Sequence, residues 1–200
     1  MTQQEAQLKV AVLKRLLHGE PVDPAALSGA TGLTPTVVES TLAALSATGA
    51  LHIAGGTVVA AYPLSAVPTR HRLRIARSHV YANCAVDALA IPSMVDGLVE
   101  IESECAHCGG AVTIQMIGDR VLGAHPDTLV VFHVTRDSCD AGPAVLTRCP
   151  HINFFCGEDH AGRWRSAHPE RQGTIFTLAQ GVARAREIFD REIRSVRGAR

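Results

Sequence analysis

Apolar side chains recur at Ala6, Val10, Leu13 and Leu17, the spacing of one helical face, and predict a helix over 5–18 that Gly19 ends. Asp23-Pro24 sets an N-cap before a proline at the first helical position, so a short second helix runs to about Ala30. Thr34-Pro35 repeats that signal, and Val38, Leu42 and Leu45 give a third helix its buried stripe before Gly49. The period then changes: Leu51 and Ile53 alternate, Gly55-Gly56 turns the chain, and Val58-Val59 return as a second strand. Three helices and a small hairpin predict a winged-helix-like unit over 1–62. A Pro-bearing connector over 63–80 follows, ending in the basic stretch RHRLRIARSH.

Beyond it, YANCAVDALAIP (81–92) predicts a helix closed near Pro92. β-type runs at 98–103, 111–117, 128–134 and 151–156 are flanked by turn residues such as Gly109-Gly110, Gly118-Asp119 and Pro126-Asp127. A helix carrying Trp164 to His168, a strand in TIFTL and a final helix over 177–195, burying Leu178, Val182, Ala185 and Phe189, complete the pattern. Strands and helices without strict βα alternation imply an α+β fold, with a mixed or antiparallel sheet core and flanking helices over 81–200.

Composition narrows the function classes. Hydrophobic residues make up 46% and charged residues 19% of 200, a globular balance that excludes wholesale disorder. Lys+Arg and Asp+Glu are 19 each, so the basic excess of a polyanion binder is missing. The third helix, TPTVVESTLAAL, offers no Arg, Lys, Asn or Gln to base edges, which favours a packing or dimerisation module over a nucleic-acid reader. Apolar stretches break well before the ~18 residues of a membrane span, and the N-terminus lacks a secretory pattern. A cytoplasmic protein is therefore expected, of undefined oligomeric state. Its six cysteines, Cys84, Cys105, Cys108, Cys139, Cys149 and Cys156, are then expected as thiols, ligands or catalysts and not a disulfide framework.

Three features carry candidate chemistry. Cys84 and Asp87 stand at i, i+3 on one helical face, with Cys84 near the helix start, where backbone N–H groups favour a thiolate. A carboxyl beside a thiolate resists ionisation, so the Asp87 pKa is expected to rise toward a range useful for proton delivery. Cys149, in LTRCPHINFFCG, precedes Pro150 and an apolar strand, a position that suits a fixed thiol. Strand alternation puts His151 and Cys156 on opposite faces, against a compact local His/Cys site. Cys105 and Cys108 form a C-x-x-C-G turn, a half-site for structural zinc that Cys139, Cys149 or His107 would have to complete; a hairpin turn with partly buried thiols is the plainer alternative.

Taken together these residues resemble the organomercurial (alkylmercury) lyase family. YANCAVDALAIP looks like the family's Y-A-x-C-A-x-D-x-L helix, and CPHINFF like its C-x-H-x-x-F-F segment. The Cys105 turn, the Trp164 region, TIFTLAQGVARAREIFDREI and the N-terminal HGEPVDPAALSGATGLTPTVVESTLAAL extend the likeness over nearly the whole chain. Asn83, Pro150 and Cys108 depart from it, where the best-studied type has Trp, Cys and a hydroxyl residue. The resemblance implies that Cys84 and Cys149 bind mercury, that Asp87 delivers a proton to the departing carbon, and that Cys105 is structural. It implies an organomercurial substrate, no organic cofactor, and external small thiols or a mercuric reductase as acceptor of Hg(II). Cysteine sulfurs 84 and 149 should then lie within about 3–5 Å, as shared ligation of one atom demands. The alternatives are a non-enzymatic thiol metal-binding or metal-sensing protein on the same core, and a metal-responsive transcription factor using the N-terminal unit.

Overall fold

The structure is a computed structural model that describes residues 2–198. Helices α1 (Gln3–Leu17), α2 (Pro24–Thr31) and α3 (Pro35–Ala47) pack on one another through Leu8, Val12, Leu13, Leu27, Val38 and Leu45. Local signals set their ends. Thr2 and Glu5 form a reciprocal capping box on α1, Asp23 accepts the Ala26 N–H (2.9 Å) at the head of α2, and Gly32 ends α2 in the left-handed region.

Strands β1 (His52–Ala54) and β2 (Thr57–Ala61) form the expected hairpin, but it is no free wing. β2 pairs with β3 (Leu64–Ser65), and the sheet continues through β5 (Ser78–Ala82), β4 (His71–Ile75), β6 (Leu98–Glu104), β7 (Ala111–Ile117) and β8 (Arg120–His125), in the order β1-β2-β3-β5-β4-β6-β7-β8. All its pairings are antiparallel. A three-stranded antiparallel sheet, β10-β9-β11, is built from β9 (Val130–Val134), β10 (Asn153–Phe155) and β11 (Gly173–Thr177). The fold is α+β, as expected, with its sheets wholly antiparallel.

The 63–80 segment corrects the sequence reading: it carries β3, β4 and part of β5 where a connector was expected. His71 and Leu73 are buried while Arg72 and Arg74 face outward, an alternation that the positive charges obscured. Those arginines ion-pair across the ladder with Glu102 and Glu100 of β6, which neutralises two of the four arginines in the basic stretch.

The remaining helices are α4 (Ala85–Ala90), the single turn α5 (Ala144–Thr147), α6 (Glu158–Ala167) and α7 (Leu178–Gly198). α4 is wholly buried, and α7 packs along it and reaches α1, where Lys9 pairs with Glu192 at 2.6 Å. Among the described residues no helix is long and apolar enough to cross a membrane.

Candidate active site

The helix expected from Tyr81 begins four residues later. Tyr81 and Ala82 complete β5, where aromatic and apolar residues pack between β4 and β3, and Cys84 is the N-cap of α4. Cys84 Sγ accepts the Asp87 N–H at 3.4 Å, so the i, i+3 spacing becomes a cap that orients the sulfur toward the helix's first turn. The preceding Asn83 donates its side-chain amide to the carbonyls of Pro63 (3.2 Å) and Leu64 (3.1 Å), pinning this loop to β3.

The distant cysteine reaches the same place by a backbone bond. Cys149 opens a 3-10 turn, Cys149–His151, that leads into β10, and the Ile152 carbonyl accepts the Ala85 N–H at 3.1 Å. The residue after Cys84 is thereby tied to the strand entrance just beyond Cys149. The two sulfurs and a carboxylate oxygen of Asp87 all lie within 4.8 Å of one another. That spacing lies inside the range shared ligation demands.

Electrostatics departs from the simplest expectation at Cys84. Its position at a helix start favours thiolate, yet its pKa is raised well above the ordinary thiol range, first by burial, then by Cys149 and Asp87 beside it. Cys84 is 1% exposed, and burial outweighs the weak cap of a six-residue helix. Asp87 is raised from 3.8 to about 7 as expected, but burial is the cause; contacts with Cys84 and Asn83 and the charge of Arg148 pull the other way. One of its carboxylate oxygens is buried without a hydrogen-bond partner.

Three groups at the site carry no sequence signal of their own. Tyr62 accepts the Val145 N–H (2.8 Å) on its hydroxyl, holding α5 over the site, and burial pushes its pKa up to about 12. Arg148 precedes Cys149, has a buried and unpartnered Nε, and acts on Asp87 through its charge. His133 of β9 is kept neutral, its pKa lowered to about 4 first by burial, then by Arg184 and Arg148.

A cavity of about 170 Å³ is lined by Cys84, Asp87 and Cys149 together with Tyr62, Arg148 and Phe189. A larger open concavity of about 940 Å³, bounded by the end of α3 and the 136–148 segment, shares Gly49, Tyr62, Ala144 and Arg148 with it and so adjoins it.

Cys105 and Cys108 lie elsewhere. The groups that approach them are Cys156 and His160, in place of the expected Cys139, Cys149 or His107. Burial works against ionisation of Cys105, but donors from the Cys108, Cys156 and His107 backbones and the His160 ring prevail and lower its pKa to about 6. Cys139 is held apart from them, its Sγ donating to the Thr135 carbonyl (3.4 Å) and its N–H to the Arg136 carbonyl (3.1 Å).

A buried pair of thiols with one shielded carboxyl, beside a small cavity on an antiparallel α+β scaffold, is a donor set that could hold a soft metal species next to an acid. The family model for alkylmercury lyase (MerB) matches residues 64–190. The chain is 31% identical over 159 residues to an alkylmercury lyase of Staphylococcus epidermidis, covering 80% of this chain and 71% of that one. It is 29% identical over 181 residues to an alkylmercury lyase of Streptomyces lividans, covering 90% and 80%. The crystal structure of the mercury-bound form of MerB2 superposes with a TM-score of 0.81 over 95% of this chain and 92% of that chain, at 24% identity, a likeness of fold. The chain belongs to the alkylmercury lyase family.

Proposed function

We propose that the protein cleaves the carbon–mercury bond of R–Hg(II) compounds by protonolysis, with Cys84 and Cys149 as mercury ligands and Asp87 as proton carrier. The single observation that carries this is the convergence of two buried sulfurs and one buried carboxyl within 4.8 Å beside a small cavity. Mercury(II) is a soft cation whose preferred protein ligands are thiolates.

The atoms balance as follows. R–Hg–SR′ exchanges its external thiol at Cys149, giving Cys149–S–Hg–R and R′SH. Cys84 then coordinates the same mercury, and its proton passes to the Asp87 carboxylate. The second sulfur weakens the C–Hg bond and places negative charge on carbon; Asp87 returns the proton there, releasing R–H and leaving Hg(II) on the two cysteines. A carboxyl with a pKa near 7 both accepts and donates around neutrality. Two further external thiols, or a mercuric reductase, carry the metal away. All six cysteines are free, which fits a reducing, cytoplasmic setting. The cavity volume, about 170 Å³, is close to the ~150 Å³ in which a benzene ring fits and suits phenyl or short alkyl groups.

The test is the conversion of phenylmercury to benzene by reduced protein with excess small thiol. Cys84→Ala and Cys149→Ala should abolish benzene release, and Asp87→Ala should bind phenylmercury while releasing little. Absence of benzene with the reduced wild type overturns the proposal.

A further inference from the structure

The tip of the β6–β7 hairpin and the junction between β10 and α6 bring together Cys105, Cys108, Cys156 and His160, all with ligand atoms within 4.8 Å of one another. Cys108 Sγ and Cys156 Sγ are 3.8 Å apart, and Cys105 Sγ lies 3.5 Å from His160 Nδ1. A tetrahedral zinc with bonds of ~2.3 Å to sulfur and ~2.0–2.1 Å to nitrogen has edges of about 3.8 Å between sulfurs and about 3.6 Å between sulfur and nitrogen. Both observed separations match those edges.

The backbone is arranged around the sulfurs in the same sense. Cys156 N–H points at Cys105 Sγ (3.4 Å) and Gly110 N–H at Cys108 Sγ (3.3 Å), as donors do toward thiolates that carry charge. Gly109, at φ +70°, closes the turn by donating to the Cys105 carbonyl (2.9 Å). A Cβ on Gly110 would come within 3.2 Å of Cys108 Sγ and 3.6 Å of Cys156 Sγ, so the space beside the sulfurs admits only glycine without displacement. Three thiols free of any disulfide and one imidazole thus present four soft or borderline donors to a single point, the donor set that zinc takes.

We infer that Cys105, Cys108, Cys156 and His160 form a structural zinc site that clamps the β6–β7 turn to the end of β10, the strand that Cys149 leads into. Four protein ligands leave no open position, which marks the site as structural and separate from the mercury-handling pair. Zinc binding displaces the thiol protons to solvent and involves no redox change.

Metal content and cobalt(II) spectroscopy test this on the reduced full-length protein. About one equivalent of zinc per chain is expected, replaceable by cobalt(II) with thiolate charge-transfer and tetrahedral d–d bands. Cys108→Ser alters an exposed side chain and should leave the circular dichroism spectrum unchanged while weakening zinc by at least about 100-fold, as should Cys156→Ser and His160→Ala. The Cys84→Ala/Cys149→Ala double variant should keep zinc in full. The inference is overturned by failure to take up added zinc, by zinc that survives Cys156→Ser, by an octahedral cobalt spectrum, by a Cys108–Cys156 disulfide in the reduced preparation, or by a cluster that takes mercury(II) and refuses zinc.

Discussion

At the scale of single residues, the decisive group is Asp87. Its folded pKa of about 7 lies above its ordinary 3.8, so its stabilising contribution is complete below 3.8 and is lost as pH rises through 7. Ionising it in place costs on the order of 4 kcal/mol. Asp87→Asn is therefore expected to lose hydrocarbon release while gaining stability over wild type as pH rises from 4 to 7, with no further gain above. Denaturant midpoints of the two proteins across that range check it; a constant difference would show that the carboxyl is not held neutral. Arg148 opposes the upward shift, so Arg148→Met should raise the Asp87 pKa further, read by the carboxyl's infrared band across pH. The Cys84–Asp87 pairing was legible in the sequence because i, i+3 spacing is a local property. The partnership with Cys149 was carried by family resemblance alone, since it arises from long-range packing of α4 against β9 and β10 and the backbone bond between Ala85 and Ile152. Tyr62 and Arg148 left no trace in the pattern, because their roles rest on burial and not on spacing.

At the scale of elements, the site depends on how closely α7 and β11 approach the segments beneath them. A Cβ on Gly181 of α7 would meet Val131 Cγ2 at 3.0 Å and Leu89 Cδ1 at 3.1 Å, and Leu89 lies two residues after Asp87. A Cβ on Gly173 of β11 would stand 2.5 Å from the His133 carbonyl, a backbone atom that cannot swing aside. Gly173→Ala is accordingly expected to destabilise by roughly 1–3 kcal/mol or more, and Gly181→Ala by less, both measured by urea unfolding. Apart from the single turn α5, the helices were legible to within a few residues from caps and apolar spacing. β4 and β8 were not, one hidden behind its arginines and the other an edge strand whose side chains alternate only weakly between exposed and half-buried. The zinc half-site was visible as C-x-x-C-G, but its completion was not: Cys156 and His160 are 48 and 52 residues beyond Cys108 and meet it through the packing of β10 and α6.

At the scale of the whole molecule, two buried titratable groups offset each other. His71 of β4 shares a hydrogen with Ser103 of β6 (2.8 Å) and sets its ring edge against Phe154 of β10, so it joins the two sheets. Burial, then Arg70, lowers its pKa from 6.5 to about 3; its contribution is complete above 6.5 and is lost as pH falls toward 3. Between pH 4 and 6.5 each group changes stability by ~1.4 kcal/mol per pH unit, His71 downward on acidification and Asp87 upward. Their contributions cancel in the wild type. Asp87→Asn should expose the His71 slope, with stability falling as pH is lowered through that window; a flat profile would mean that His71 titrates normally. The end of α3 also lines the concavity that adjoins the cavity, which brings the N-terminal helices to the border of the site. The convergence of Cys84 and Cys149 on one mercury atom beside Asp87 is tested most directly by X-ray absorption at the mercury edge after incubation with one equivalent of phenylmercury. Two-sulfur coordination in the wild type, reduced to one protein sulfur in Cys84→Ala and unchanged in Cys108→Ser, is the predicted result. Two-sulfur mercury that persists in Cys84→Ala and disappears in Cys108→Ser would contradict it.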